Sequence, residues 1–133
     1  MPYKHPDPKS KERIILALDV PIEKALVLIP KLARLVAYIK IGYEHIYSHY
    51  ARELVGVVHD NGGAVFLDGK LKDIPNTVAK AVSGIVADQV ELFNVHCSGG
   101  TLMMRTAAST ALTVATKQAQ DAGVSTAQFG RPL

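Results

Sequence analysis

Four charged side chains lie close together in the middle of the sequence, and three of them, Asp68, Lys70 and Asp73, are candidates for a reactive site. Asp68 ends a short apolar run. Alternate residues of an extended strand share a face, so we expect Asp68 and Lys70 to point the same way. A lysine ammonium held beside a carboxylate can donate a proton or stabilise a developing negative charge. A strand-end salt bridge followed by an aspartate before a helix fits the same spacing, so spacing alone leaves both interpretations open.

The elements that must position these residues follow from an alternation of apolar runs and segments with helical periodicity. The apolar runs predict strands at residues 13–19, 38–42, 64–68, 89–95 and 111–115. The periodic segments predict helices at residues 21–35, 44–59, 75–87 and 117–122, and another helix that follows the Gly99-Gly100 turn and ends at residue 108. Parallel strands need long crossover connections, which helices supply. The sequence therefore predicts an α/β fold of about five βα units with parallel strands, either an open sheet or a barrel.

Polar residues fall near the C-terminal ends of three predicted strands, at Asp19, Lys40 and Asp68. Barrel enzymes collect catalytic groups at this end of the strands, and open parallel sheets bind ligands there. Taken singly, Asp19 also fits a polar residue entering a turn before Pro21, and Lys40 also fits a strand-end charge.

Composition narrows the classes of function. The net charge of +3 comes from scattered basic residues, and no apolar run approaches the roughly 20 residues that cross a bilayer, so we expect neither nucleic-acid nor membrane binding. Cys97 is the single cysteine and the polar start lacks an apolar secretory core, which favours a cytoplasmic protein. No histidine, cysteine and carboxylate spacing predicts a metal site. His45, His49 and His59 are expected at solvent-exposed helix positions.

The segment Asp68-Gly-Lys70-Leu-Lys-Asp73-Ile74-Pro75-Asn76-Thr77 resembles the active-site motif of orotidine 5'-phosphate decarboxylases. The resemblance extends from about Arg13 to Thr116 and includes Leu16-Ala-Leu-Asp19, Lys40-Ile-Gly42, Val95-His-Cys-Ser-Gly-Gly100 and Leu112-Thr-Val-Ala-Thr116. It implies a (β/α)₈ TIM barrel that converts orotidine 5'-phosphate to uridine 5'-phosphate (UMP) in de novo pyrimidine synthesis, without metal or organic cofactor.

The same resemblance implies a role for each matching residue. The family's charged array corresponds to Lys40, Asp68, Lys70 and Asp73, with Lys70 as the proton donor. The substrate-binding residues would be Asp19, Lys40, Asp68, Ile74, Thr77, Thr116 and Arg131, of which Asp19 and Lys40 bind ribose hydroxyls. The resemblance also implies a homodimer in which Asp73 and Thr77 reach the neighbouring active site.

A chain of 133 residues is too short for a complete barrel of about 200 to 250 residues. We therefore expect an incomplete barrel. Residues 1–12 form a polar leader, residues 13–123 a partial barrel domain, and residues 124–133 a tail whose Gly130-Arg131 pair resembles the phosphate-gripping last-strand segment of the family.

The expected incompleteness leaves two alternatives open. One is a catalytically inactive fragment or interaction remnant of the same family. The other is a Mg²⁺-dependent sugar-phosphate decarboxylase or aldolase of the same superfamily, which shares the Asp-x-Lys-x-x-Asp array. The continuation from Ile74 to Thr77 favours the pyrimidine enzyme over the latter.

Overall fold

The computed structural model describes residues 9–124 of the chain. Over this range it contains four β-strands and five α-helices. The strands are β1 (Ile15–Ala17), β2 (Tyr38–Ile41), β3 (Val65–Leu71) and β4 (Leu92–Val95), and the helices are α1 (Ile22–Leu32), α2 (Tyr43–Tyr47), α3 (Ala51–Asp60), α4 (Pro75–Ala87) and α5 (Thr101–Asp121). The strand order is β1-β2-β3-β4 in one sheet. The predicted α/β class is confirmed.

The chain divides into two compact units, Met1–Phe66 and Leu67–Leu133. In the first unit, β1 and β2 are parallel and Ala17 is the register partner of Lys40. Residues alternate between the two faces of a strand, so burial of Ile39 and Ile41 places Lys40 on the opposite face. The apolar core of this unit consists of Leu18, Ala25, Ile29, Ala33, Ile39, Ile41, Leu54, Val55, Val58 and Val65.

The helix predicted over residues 44–59 is divided into α2 and α3. His49 lies between α2 and α3. It adopts a left-handed backbone conformation with a φ of 71°, so α2 cannot continue through it. His49 is exposed as expected, and His59 is partly buried. The expectation of solvent exposure is wrong for His45, which is only 2% exposed. Its Nε2 lies 3.1 Å from the Leu18 carbonyl oxygen, so the ring is satisfied as a donor inside the first unit.

We expect a His45→Ala substitution to lower the free energy of unfolding by about 1–3 kcal/mol, because the buried Leu18 carbonyl oxygen loses its side-chain donor. Chemical denaturation of the wild-type and variant chains measures this difference. His49→Ala is the matched control, since that ring is exposed. Equal losses of stability in the two variants would contradict the assigned role of the His45 hydrogen bond.

The second unit is built around the packing of α4 against α5. Pro75 begins α4, where its fixed φ suits the first helical turn, and the helix ends at Ala87 as the sequence predicts. The buried core cluster between α4 and α5 consists of Val78, Val82, Val86, Met103 and Ala107. Partly buried apolar residues pack against this cluster: Leu71, Phe93, Val95, Met104, Ala111, Val114 and Ala115.

The prediction of a fifth strand at residues 111–115 is wrong. These residues belong to α5, which continues from Thr101 to Asp121. Ala111, Val114 and Ala115 continue the three- and four-residue spacing of Met103 and Ala107 against the core, while Leu112 is 69% exposed. That spacing produces a helical stripe, so residues 9–124 contain four strands rather than five.

Most of the predicted polar leader lies outside the described residues, and so do Gly130 and Arg131 of the predicted tail. Within residues 9–124, none of the helices combines the length and the apolar character that a bilayer span requires.

Candidate active site

The candidate site of the second unit is built on β3, which continues beyond its predicted end at Asp68 to Leu71. Asp68 and Lys70 therefore both lie on this strand. Lys70 Nζ donates a hydrogen bond of 2.7 Å to Asp68 Oδ1, which confirms that the two side chains share a face. At this length the contact is a charge-assisted hydrogen bond rather than a loose surface pair.

The two partners differ in solvent exposure. The Asp68 side chain is 12% exposed, whereas that of Lys70 is 43% exposed. A buried carboxylate needs partners to offset its loss of hydration, and the Lys70 ammonium is one of them. The ammonium is thus anchored at a buried point and remains accessible to a ligand.

Asn94 on β4 hydrogen-bonds to both Asp68 and Lys70, and the three residues form a cluster. Asn94 Nδ2 donates to Asp68 Oδ1 at 2.6 Å, and its Oδ1 accepts the Lys70 backbone N–H at 2.7 Å. Asn94 was not among the residues predicted for the site. The available signal was the amide of Asn94 between the apolar residues Phe93 and Val95 of the predicted strand, because a polar group in such a position requires hydrogen-bond partners.

The backbone of Lys70 adopts a left-handed conformation with a φ of 47°. This region is unfavourable for residues that carry a Cβ, and it is populated in folded proteins where the surroundings enforce it. Sequence alternation predicted the direction of the Lys70 side chain but gave no indication of this backbone conformation.

A second charged pair lies within the first unit. Lys40 Nζ is 3.5 Å from Asp19 Oδ1, and the Asp19 side chain is 66% exposed. An exposed pair of this kind contributes little to stability. The exposed Asp19 carboxylate can accept a hydrogen bond from a hydroxyl group. The structure therefore brings together the two residues predicted to bind ribose.

The remaining predicted residues of the motif are exposed at the start of α4. Asp73 Oδ1 accepts the backbone N–H of Ile74 at 2.6 Å, and Ile74 is 66% exposed. Thr77 is also exposed, and its backbone N–H bonds to the Ile74 carbonyl oxygen at 3.0 Å. All three side chains are accessible to a ligand or to a second subunit.

One predicted substrate-binding residue does not join these groups. Thr116 was predicted to follow a fifth strand, and the structure places it inside α5, partly buried. The strand on which that prediction depended is absent from residues 9–124. Arg131 lies outside the described residues. Within those same residues, no group of three or more histidine, cysteine, aspartate or glutamate side chains is arranged to hold a metal ion.

Comparison with known proteins places this geometry in context. The chain is 41% identical over 97 residues to an orotidine 5'-phosphate decarboxylase from Carboxydothermus hydrogenoformans, covering 72% of this chain and 40% of the relative. It is 46% identical over 96 residues to the enzyme of that name from Pseudomonas fluorescens, covering 68% and 39%. The chain therefore spans about two fifths of the length of these curated relatives.

Solved structures give the same result. The orotidine 5'-phosphate decarboxylase of Lactobacillus acidophilus matches with a TM-score of 0.65 and 29% identity, covering 76% of this chain and 45% of that one. The orotidine 5'-monophosphate decarboxylase of Methanocaldococcus jannaschii matches with a TM-score of 0.65 and 26% identity, covering 79% and 50%. The fold thus corresponds to about half of the fold of these enzymes.

A family model described as orotidine 5'-phosphate decarboxylase / HUMPS matches residues 12–126. This range includes both charged pairs and the motif from Asp68 to Thr77. The chain therefore belongs to the orotidine 5'-phosphate decarboxylase / HUMPS family.

Proposed function

We propose that the chain carries the decarboxylation chemistry of orotidine 5'-phosphate decarboxylase, in which Lys70 protonates carbon 6 of the pyrimidine. The observation that carries the proposal is the 2.7 Å pair between the accessible Lys70 ammonium and the buried Asp68 carboxylate. The names of the relatives from Carboxydothermus hydrogenoformans and Pseudomonas fluorescens support it. De novo pyrimidine synthesis and a cytoplasmic location, the latter predicted from the single Cys97, belong to the same proposal.

The proposed reaction needs a cation beside the reacting carbon. The bond between carbon 6 and the carboxylate breaks, CO₂ leaves, and the electron pair stays on carbon 6. An ammonium near that carbon stabilises the developing charge and then transfers its proton, yielding UMP. Lys70 regains a proton from water. Asp68 keeps the ammonium in place through both steps.

Substrate binding divides among the other residues of the motif. Asp19 and Lys40 are proposed to bind ribose hydroxyls, which agrees with the exposed carboxylate of that pair. Asp73, Ile74 and Thr77 are proposed to contact substrate, with Asp73 and Thr77 acting in the site of a second subunit. Their exposure at the start of α4 is consistent with such a contact.

A catalytically inactive relative is the second candidate. The chain spans 40% and 39% of the two curated relatives, so the activity of the whole enzyme is a proposal for this chain. The structure describes no strand between β4 and residue 124, whereas a complete barrel of this type has eight.

The test follows the ultraviolet change as orotidine 5'-phosphate is consumed, over a range of chain concentrations, with and without EDTA. We expect turnover per chain to rise with concentration, because Asp73 and Thr77 act across a dimer, and EDTA to have no effect. Sedimentation at the same concentrations gives the dimer fraction.

Other results of the same test would support the alternatives or contradict the proposed dimer. Absence of turnover at every concentration would favour the inactive relative. Loss of this turnover with EDTA would show a metal requirement, as in the Mg²⁺-dependent sugar-phosphate enzymes of the superfamily, and would contradict the cofactor-free reaction. A fully active monomer would contradict the proposed exchange of Asp73 and Thr77 between subunits.

A further inference from the structure

The amide of Asn94 has only one orientation that satisfies both of its contacts. The Lys70 backbone N–H can only donate, and an ionised Asp68 carboxylate can only accept. The Asn94 oxygen must therefore face the Lys70 backbone and its nitrogen must face Asp68, as the distances of 2.7 Å and 2.6 Å show. A leucine of similar shape offers neither group, and an aspartate offers only acceptors.

The two hydrogen bonds of Asn94 act on different parts of the Lys70–Asp68 pair. Asp68 Oδ1 accepts both Asn94 Nδ2 and Lys70 Nζ, so the bond from Asn94 helps to fix the rotation of the carboxylate that holds the ammonium. The bond to the Lys70 backbone N–H holds the residue where its φ is 47°. A residue with a Cβ avoids that conformation unless neighbouring groups enforce it.

We propose that Asn94 is a positioning residue, which sets the location of the Lys70 ammonium through the Asp68 carboxylate and the Lys70 backbone. This inference rests on the proposed function and extends it to a residue of β4. In this role Asn94 acts through Asp68 and the Lys70 backbone rather than on the reacting atoms. Its effect on the reaction is indirect, because a small displacement of a proton donor lowers the rate steeply.

The first experiment needs no substrate. Hydrogen exchange of the Lys70 backbone amide is measured by NMR in the wild-type chain and in the Asn94→Ala and Asn94→Asp variants. We expect exchange at Lys70 to be about tenfold faster in Asn94→Ala, which lacks the acceptor, and nearly unchanged in Asn94→Asp, which retains it. Exchange at Val82, in the core of α4, separates this local effect from a global loss of stability.

The second experiment measures turnover of orotidine 5'-phosphate by the same chains. Both variants are expected to lose about 100-fold in kcat with little change in KM, because each removes the donor to Asp68 and a positioning residue affects the reaction step rather than substrate binding. The matched control is Asn61→Asp. It also removes an amide donor, here the 2.8 Å bond from Asn61 Nδ2 to the Val57 carbonyl oxygen, outside the cluster. We expect this control to retain wild-type kcat.

Three results would overturn the inference: unchanged exchange at Lys70 in Asn94→Ala, wild-type kcat in Asn94→Asp, or an equal loss of kcat in Asn61→Asp. A wild-type chain that turns over no substrate would instead refute the proposed function. The exchange rates alone would then decide whether Asn94 holds the Lys70 backbone.

Discussion

Replacing Lys70 with alanine is expected to lower kcat for orotidine 5'-phosphate by about 10⁴-fold, because the substitution removes the group proposed both to donate the proton and to stabilise the carbanion. The Lys70 side chain is 43% exposed, but its truncation takes a partner from the buried Asp68 carboxylate, so some loss of stability is also expected. Ultraviolet assays of the purified variant, together with a thermal unfolding curve, separate the loss of chemistry from a loss of folded protein.

Two further variants test whether Lys70 acts as a proton donor or only as a positive charge. Lys70→Arg keeps a positive charge, but a guanidinium gives up its proton far less readily than an ammonium, so we expect little recovery of activity. Lys72→Ala removes an exposed ammonium two residues away and should leave kcat unchanged. An equal loss in Lys70→Ala and Lys72→Ala would point to the general positive charge near the end of β3 rather than to a proton donor.

The second large effect is expected at Asp68. An Asp68→Asn substitution keeps the shape of the side chain and an oxygen acceptor for Lys70 Nζ, but it removes the negative charge that anchors the ammonium. We expect kcat to fall by about 10²-fold to 10³-fold while the chain remains folded. The measurement is the same ultraviolet assay, with circular dichroism to confirm the fold.

Asp121→Asn is the matched control for this substitution. It makes the same chemical change at an exposed position at the end of α5, in the same unit as Asp68. Wild-type kcat in Asp68→Asn would show that the buried carboxylate has a structural role only. The salt-bridge interpretation of the motif would then be the better one.

The motif from Asp68 to Thr77 shows what local sequence can predict. Strand alternation correctly placed Asp68 and Lys70 on one face, and Pro75 correctly marked the start of α4. These features depend on residues near in sequence, whose geometry is set by the local backbone. Asp19 and Lys40 were predicted near the C-terminal ends of strands, but their 3.5 Å contact was not predicted from the sequence.

The errors arose where a short pattern had two interpretations. The run at residues 111–115 is apolar enough for a buried strand, and only its spacing relative to Met103 and Ala107 identifies it as part of α5. His45 looked like a surface histidine because its partner, the Leu18 carbonyl oxygen, lies 27 residues away in the chain.

Asn94 was missed for a related reason. Its partners lie on β3, 24 and 26 residues earlier in the chain, and neither contact can be inferred from spacing within β4. A hydrogen bond between side chains on two strands depends on strand register, which is a property of the folded sheet. The polar residue was visible in the sequence, but its partners were visible only in the structure.

The proposed role of Lys70 is tested most directly by the position of its Nζ relative to a bound pyrimidine. We predict that a crystal structure of the chain with the product UMP will place this nitrogen about 3–3.5 Å from carbon 6, still hydrogen-bonded to Asp68. A structure in which UMP binds elsewhere, or in which the Lys70 and Asp68 side chains are directed away from the pyrimidine ring, would contradict it.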